Sequence, residues 1–404
     1  MKIKTAKWGF DLRDLDRRRF LGMTALGSGA ALCGLERATF AADRWLAAAQ
    51  RAQPPKDGEP VGQLKFLNEG PVEMGKTFGS ELDGRLFTPL DDLNEQNLVT
   101  PEENFYLRTR ASRILPDVTT WTVAVDGLAA KQTLAISELR GMERPQGLHL
   151  MECSGNTRAS HFGMISVGDW TGIPFIELLG MLKPSPQATR VTVNGFDQYV
   201  ANSVTSTPGA SWVFAFEELK SAKAFLATKL SGKALSRDHG APARLVVPGW
   251  YGCACIKWVD RITFVDDSAE ATSQMTEYAG RTHQNGSPRL AKNFQPARID
   301  HAAMPVRVEK WRVAGKVTYR VVGLLWGGTE TVRALGIRFN PEEEYVRVES
   351  LPVPQTTPWT LWTKVWSPAV PGKYTIRLKV MDPASQTRRL DSGYYARSVE
   401  IEEV

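Results

Sequence analysis

The sequence contains few of the residues on which several large classes of protein depend. Its 404 residues include four cysteines and five histidines. Neither a Cys-x-x-Cys-His haem motif nor a zinc-type Cys/His spacing occurs. No low-complexity tract or fixed-period repeat is present, which excludes a solenoid and a largely disordered chain. We therefore predict no haem, and any electrons that the protein handles must pass to a separate protein.

Strong positive charge is also lacking once the N-terminal segment is set aside. The formal net charge is +6, but residues 1–41 hold eight Lys/Arg and four Asp/Glu and so supply four of those charges. About two remain for the rest of the chain, too few for a phosphate-binding surface along a nucleic acid. We expect no nucleic-acid partner.

The N-terminal segment has the layout of an export signal. Basic residues lead to Asp16–Leu21, with three consecutive arginines, and a weakly apolar run rich in Gly and Ala follows over Gly22–Leu35. This pattern is typical of a twin-arginine signal peptide, which we place over residues 1–42. It predicts a periplasmic protein, and an uncleaved membrane tether is the alternative. Because this route carries folded proteins, it favours an enzyme that receives a cofactor in the cytoplasm.

The cysteines do not form an obvious disulfide framework. Cys33 lies in the predicted signal, which leaves Cys153, Cys253 and Cys255. An odd number in an oxidising compartment leaves at least one thiol outside any internal disulfide. Cys253 and Cys255 are one residue apart, which is too close for an unstrained bridge in extended chain.

The remaining length predicts two domains. Over residues 43–285, short apolar runs alternate with amphipathic helical segments such as Ile136–Arg140 and Pro174–Leu182, which predicts an α+β domain. The stretch 284–300 is polar, carries Gly286 and two prolines, and lacks periodicity, so the junction is placed at 285/286.

In the second predicted domain, residues 286–404, the pattern beyond His301 changes to strands alone. Seven apolar runs, from Val306–Val313 to Tyr394–Ile401, are separated by Gly, Pro and Asn, which predicts an immunoglobulin-like β-sandwich. Five tryptophans of this region are either core or interface residues, and core is favoured; they are Trp311, Trp326, Trp359, Trp362 and Trp366.

One loop stands out as a candidate for chemistry. An apolar run ending at Glu152 is followed by Cys153 and a segment rich in Ser, Gly and Asn that ends at Arg158. A thiolate at a strand end can bind a soft or high-valent metal. Taken alone, Cys153 is more simply interpreted as a small buried core residue.

The surrounding motifs change that interpretation. The Cys153–Arg158 loop (CSGNTR) resembles the metal-binding loop of the sulfite oxidase family, and further segments resemble that family in the same order. They are Phe105–Arg108, Asp169–Pro174, Asp238–Arg244, Val246–Gly252 and Ile256–Trp258. Together they span residues 100–260, and the strand-rich end resembles the dimerisation domain of the same family.

The resemblance implies a molybdenum–molybdopterin cofactor whose metal takes one protein ligand, the thiolate of Cys153. The residues that would bind the phosphate and pterin are Tyr106, Arg108, Thr109, Arg110, Asp197, His239, Arg244, Cys255, Ile256 and Lys257. Arg244 and Lys257 suit a phosphate, and Asp197 suits pterin N–H groups. His239 by itself would more simply be a structural histidine.

The resemblance also implies a cationic substrate pocket. Arg108 and Arg158 would bind a small oxyanion, Tyr278 would hydrogen-bond the product oxygen, and Trp170 would form a wall. A surface position is the alternative for Arg158.

The implied reaction is oxygen-atom transfer on sulfite or another small sulfur compound, with electrons passing to a separate c-type cytochrome and a homodimer as the expected assembly. The alternative is a reductase of a sulfoxide, an N-oxide or nitrate. Thr109-Arg110 stands where the family usually has Asn-His or His-His, a departure that alters the cofactor's surroundings and adds charge. An arginine that animal relatives contribute from the sandwich has no clear counterpart, although Arg388 and Arg389 lie in a loop that could substitute.

Overall fold

Short strands dominate the chain. The computed structural model describes Pro55 and residues 58–111, 113–199, 210–351 and 358–404, all within one unit that spans residues 48–404. The predicted signal peptide lies outside the described residues. Four α-helices occur in the described part, with eight, six, six and four residues: α1 Phe175–Leu182, α2 Phe216–Ser221, α3 Ser273–Tyr278 and α4 Arg388–Asp391.

The strands of the described ranges are on average about six residues long. They are β1 Gly58–Leu64, β2 Thr122–Gly127, β3 Gln132–Ala135, β4 Arg144–Glu152, β5 Ile165–Pro174, β6 Arg190–Gly195, β7 Ser211–Ala215, β8 Phe225–Leu230, β9 Lys233–Ala234, β10 Arg244–Val246, β11 Val259–Val265, β12 Ala302–Val313, β13 Lys316–Trp326, β14 Leu335–Arg338, β15 Val346–Arg347, β16 Trp359–Trp366, β17 Gly372–Val380 and β18 Arg397–Ile401.

Two five-stranded sheets form the first half. One has the order β3-β2-β11-β6-β7, and the other has β10-β8-β5-β4 with β9 paired to β8. Only β11 and β2 run parallel in these sheets. Side chains from both sheets, among them Val193, Phe225 and Ile262, are fully buried in one core. Mixed sheets with few helices agree with the predicted α+β class, although strand content exceeds what the sequence suggested.

Two four-stranded sheets form the second half, with the orders β1-β12-β13-β16 and β15-β14-β17-β18. Buried residues of both sheets, such as Val321, Ile337 and Val399, belong to one core, as expected of two packed layers. The seven predicted strands are confirmed as β12 to β18.

The tryptophans of the second half are mostly core residues. Trp326, Trp359 and Trp362 are buried, whereas Trp311 and Trp366 are half-buried. Trp359 Nε1 also donates to Leu98 O at 2.8 Å, so this core is tied to the first half of the chain. The expectation that core positions prevail is therefore confirmed for three of the five.

Strand β1 belongs to the second half by pairing. It runs antiparallel to β12, with Gly58 opposite Val313 and Leu64 opposite Val308. The first strand of the described residues thus lies in the C-terminal sandwich, and the chain then forms the other two sheets. The domain boundaries inferred from the sequence stay a prediction, and they do not account for this strand.

Two helical predictions have different outcomes. The predicted helix Pro174–Leu182 is confirmed as α1, whereas Ile136–Arg140 is a 3-10 helix that extends over Ile136–Met142 and leads directly into β4. Within the described ranges, every helix is too short or too polar to cross a bilayer.

Candidate functional site

Strand β4 delivers Cys153 to a tight turn. The strand ends at Glu152, and the Cys153 N–H donates to Met164 O at 2.9 Å. The Asn156 N–H donates to Cys153 O at 2.9 Å and closes the turn, while the Gly155 N–H approaches Cys153 Sγ at 3.4 Å. The thiol is 5% exposed. A strand end followed by a Gly-containing turn therefore fixes one sulfur at the floor of a cleft.

The cleft beside Cys153 has an empty volume of about 890 Å³, including its open mouth. Ten of the fourteen site residues predicted from the sequence line it: Tyr106, Arg108, Thr109, Cys153, Asp197, Arg244, Cys255, Ile256, Lys257 and Tyr278. These residues come from sequence positions more than 170 residues apart.

The charged residues that line the cleft are mainly cationic. They are Arg108, Arg244 and Lys257, and Asp197 is the one carboxylate among the described lining residues. Arg85 lies behind Arg108, and burial together with the charge of Arg108 lowers the pKa of Arg85 to about 10. Arg85 still carries its charge at neutral pH. The site therefore favours an anionic ligand.

Two buried polar atoms in the cleft lack partners among the described residues. Arg244 donates to His239 O at 3.2 Å and to Cys255 O at 3.3 Å, but its Nε is buried and unpaired. Asp197 Oδ1 is likewise buried and unpaired. Because buried polar groups are normally satisfied, a donor and an acceptor left over in one cleft indicate a ligand that carries both types of group.

Lys257 and Asp197 are close enough in the cleft for the charge of each to shift the pKa of the other. Burial lowers the pKa of Lys257, with the nearby Arg244 acting in the same direction, and burial raises the pKa of Asp197 while Lys257 opposes that rise. The ammonium of Lys257 donates to Thr109 O and, at 3.1 Å, to Asp238 O. Its position is thus fixed by backbone carbonyls, ready for a phosphate oxygen.

A molybdenum–molybdopterin cofactor fits these residues. Its phosphate can accept from Arg244 and Lys257, and its pterin N–H groups can donate to Asp197. Gly252 allows close packing against Tyr106 on the same wall, since a Cβ there would come within 2.5 Å of the Tyr106 hydroxyl. No three His, Cys, Asp or Glu side chains of the described residues cluster as a metal site, so a metal here needs ligands beyond Cys153 that the cofactor itself brings.

The protonation of the two groups beside the metal position follows from burial. Burial raises the pKa of the Cys153 thiol, while Arg108 and the Gly155 N–H favour the thiolate. Coordination to a metal deprotonates a thiol outright. Burial also raises the pKa of Tyr278, which is 8% exposed, so its phenol stays protonated and can donate a hydrogen bond.

Trp170 and His239 lie behind the cleft and are not among its lining residues. Trp170 is fully buried in β5, with its ring edge-on to Phe105 and 5.7 Å from the Arg244 guanidinium. Both ring nitrogens of His239 have protein partners: Nε2 donates to Phe105 O at 3.0 Å, and Nδ1 lies 2.7 Å from Ser236 Oγ. His239 therefore supports the backbone before Tyr106 and Arg108.

Arg110 and Arg158 also lie away from the lining of the cleft. Arg110 Nε pairs with Asp238 Oδ2 at 2.8 Å, and the second oxygen of Asp238 accepts from the Ala111 N–H. Arg158 Nη2 donates to Ala396 O at 2.7 Å. The structure thus engages both guanidinium groups in holding chain segments together, and the predicted ligand contacts of these two residues stay predictions.

Several residues at the site were missed from the sequence. Gln274 and Cys253 line the cleft, and Glu152 lies buried next to Cys153. Arg281 lies over the Tyr278 ring at 5.6 Å. Arg389, which the sequence offered as a substitute arginine, reaches the metal loop by donating to Ser154 O at 2.8 Å. No motif marks Gln274 or Arg281, because tertiary contacts such as the hydrogen bond from Gln274 Nε2 to Cys253 O bring this segment to the cleft.

The residue before Arg389, Arg388, forms an ion pair that should affect how stability depends on acidic pH. Arg388 makes two hydrogen bonds to Asp300, at 2.9 and 3.0 Å. Burial by itself raises the pKa of Asp300, but the hydrogen bonds and charge of Arg388 and the nearby His283 outweigh it and lower that pKa. The stabilisation is therefore present above the unfolded-state pKa, near 4, and is lost as the pH falls through the folded-state value.

We expect Asp300→Asn to lower the free energy of unfolding by about 1 kcal/mol at neutral pH, since Arg388 is half exposed. The difference from the wild type should shrink below about pH 4. Urea unfolding between pH 3 and 7 measures it, with Asp92→Asn as the exposed control. A difference that is constant over this pH range would contradict the ion-pair account.

Comparison with known proteins identifies the class of domain that carries this cleft. Residues 111–273, which include Cys153 and Arg244, match the oxidoreductase molybdopterin-binding domain. Mitochondrial sulfite oxidase of Drosophila melanogaster is 25% identical over 334 residues, covering 72% of this chain and 56% of that protein. The catalytic subunit of protein-methionine-sulfoxide reductase from Xanthomonas axonopodis pv. citri is 28% identical over 251 residues, covering 57% of this chain and 70% of that one.

A solved structure agrees on the fold. The sulfane dehydrogenase SoxCD of Paracoccus pantotrophus superposes with a TM-score of 0.57 and 18% identity, covering 76% of this chain and 78% of that chain. The domain match and these similarities support a molybdopterin oxidoreductase of the sulfite oxidase type. The chain spans little more than half of the fruit-fly sulfite oxidase that it matches.

Proposed function

We propose that this protein is a periplasmic molybdenum enzyme that transfers an oxygen atom to sulfite or a related small sulfur compound. One observation carries the proposal: Cys153, Arg108 and Tyr278 line the same cleft as the basic residues suited to a pterin phosphate. The similarity to sulfite oxidases supports a sulfur oxyanion as the substrate class.

The cofactor, when bound, supplies the two-electron chemistry and the oxygen atom that is transferred. The chain supplies position and charge. Arg244 and Lys257 hold the cofactor by its phosphate, Asp197 accepts from its pterin, and the Cys153 sulfur binds the metal.

Arg108 and Tyr278 would act on the substrate. The Arg108 guanidinium attracts the substrate oxyanion. Its positive charge offsets the negative charge that the cofactor and the Cys153 thiolate bring to the cleft. The Tyr278 phenol, kept protonated by burial, donates a hydrogen bond to an oxygen of the substrate or product. Arg281, 5.6 Å from the Tyr278 ring, adds positive charge beside this phenol.

We further propose that electrons leave to a separate c-type cytochrome, that a twin-arginine signal directs export, and that the C-terminal sandwich is immunoglobulin-like and forms a homodimer. Its two four-stranded sheets around one core support the sandwich assignment. Light scattering tests the dimer, and a stable monomer in solution would remove it.

A reductase is the second candidate. The match to the methionine-sulfoxide reductase subunit, which covers 70% of that protein, favours it. The same cleft serves either direction, because direction depends on the metal potential and the electron partner.

The decisive experiment uses protein from a host that makes the molybdenum cofactor. It measures the metal content, the oxidation of sulfite and the reduction of a sulfoxide. We expect molybdenum near one equivalent, sulfite-dependent reduction of ferricyanide or cytochrome c, and no sulfoxide-dependent oxidation of a reduced dye. Sulfoxide reduction without sulfite oxidation would select the second candidate. Protein without molybdenum would remove both.

A further inference from the structure

Glu152 is a buried acid immediately before the metal-binding cysteine. Its side chain is 0% exposed, and it accepts hydrogen bonds from Trp326 Nε1 and the Tyr395 hydroxyl, both at 2.8 Å. Both donors belong to the C-terminal sandwich or the segment that enters its last strand. The rings of Trp326 and Tyr395 also pack edge-on at 5.1 Å, so the two donors support each other.

Adjacent residues in extended chain point to opposite sides. Glu152 is the last residue of β4 and its carboxylate meets the sandwich, whereas Cys153 lines the cleft on the other side. Fixing the Glu152 side chain therefore fixes the backbone from which the Cys153 sulfur projects.

The same segment of the sandwich holds the rest of the loop. The Tyr394 hydroxyl donates to Asn156 O at 2.7 Å, and Arg389 donates to Ser154 O at 2.8 Å. The Asn156 amide in turn lies 3.4 Å from Glu152 Oε1, and its oxygen accepts from the Met164 N–H. The turn that carries Cys153 is thus bonded to the sandwich on both sides of the cysteine.

Stability alone does not explain an acid at this position. A buried carboxylate loses its hydration, and apolar side chains of similar size join two cores at least as well. What the carboxylate adds is direction, because two donors on two oxygens define its plane. A fixed direction matters where the next residue must present a sulfur at one distance and angle to a metal.

We propose that Glu152 is a positioning residue through which Trp326 and Tyr395 of the sandwich orient the Cys153 thiol, so that the C-terminal half controls the metal environment as well as any assembly. The proposal rests on the proposed function in taking Cys153 as the metal ligand. It assigns to the sandwich a role inside its own chain.

The test compares Tyr395→Phe and Glu152→Gln with Tyr319→Phe as the matched control. Tyr319 is also a buried sandwich tyrosine, 1% exposed, and its hydroxyl donates to Glu403 O at 2.6 Å, far from the loop in sequence and contacts. Tyr395→Phe removes one hydroxyl and keeps the ring, so it decides the outcome if Glu152→Gln fails to fold.

Two readouts separate positioning from stability. In the molybdenum-loaded protein, the electron paramagnetic resonance spectrum of the half-reduced metal should shift in Tyr395→Phe and Glu152→Gln and not in Tyr319→Phe. In metal-free protein, alkylation of Cys153, followed by peptide mass mapping, should be about fivefold faster in the two test variants, as expected for one lost hydrogen bond. Thermal midpoints of Tyr395→Phe and Tyr319→Phe should be alike.

Unchanged spectra and alkylation rates in both test variants would overturn the proposal, as would the same changes in Tyr319→Phe. Failure of the proposed function is distinguishable, because it appears as wild-type protein without molybdenum or without sulfite turnover. In that case, the alkylation rate of Cys153 in metal-free protein tests the positioning role by itself.

Discussion

Replacing Cys153 by serine is expected to reduce sulfite-dependent turnover of the molybdenum-loaded protein to below about one hundredth of the wild-type value. Mutation of residues that only hydrogen-bond to a metal ligand typically lowers metal affinity or activity about 10- to 100-fold. Loss of the ligand itself should have a larger effect. A hydroxyl is a poor substitute for a thiolate on a soft or high-valent metal. Steady-state kinetics and metal content measure the effect.

Folding should survive this replacement. Ser and Cys are close in size, and the loop is held by backbone and Glu152 contacts that do not involve the sulfur. We expect a thermal midpoint within about 2 °C of the wild type. Cys253→Ser, which removes another thiol of the same cleft, should keep its molybdenum. Full activity in Cys153→Ser would contradict the ligand assignment.

Replacing Arg108 by methionine should lower kcat/KM for sulfite by about 10- to 100-fold, mainly through KM. The guanidinium lines the cleft beside Cys153 and is proposed to bind the charge of the oxyanion on entry. Methionine keeps much of the apolar stem and removes the charge. The wild-type KM should also rise with ionic strength, whereas that of the variant should respond less.

Arg113→Met is the matched control for this prediction, because Arg113 is an exposed arginine of the same segment outside the cleft. Its kinetics should equal those of the wild type. If Arg108→Met lowered kcat with KM unchanged, Arg108 would act on the reaction step and the proposed role in substrate entry would be wrong.

Local pattern was enough to predict most strands and one helix. Alternating apolar residues predicted β12 to β18, and the apolar run before Cys153 predicted a strand that ends there, which β4 confirms. These features depend on neighbours in sequence, and period-two burial is visible in the sequence itself. The family resemblance also grouped fourteen residues at one site, and ten of them line one cleft.

Contacts between distant segments could not be predicted in the same way. Arg158 and His239 carry the residue types of a ligand site, yet Ala396 O and Phe105 O take their hydrogen bonds. Nothing in the local sequence marks those carbonyl groups as acceptors. Glu152 and Tyr395 illustrate the same limit, since 243 residues separate the two ends of one hydrogen bond.

The pairing of β1 with β12 bears on how the chain reaches its native state. Its partner strand, β12, begins some 240 residues later in the sequence. During synthesis β1 therefore remains unpaired until most of the chain has left the ribosome. Closing so long a loop slows folding, and an unpaired strand invites association with other chains. Glu59, Pro60 and the register irregularity at Pro60/Gly62 give β1 a charged, interrupted edge, which suits a strand that stays exposed in the nascent chain and afterwards borders the finished sheet.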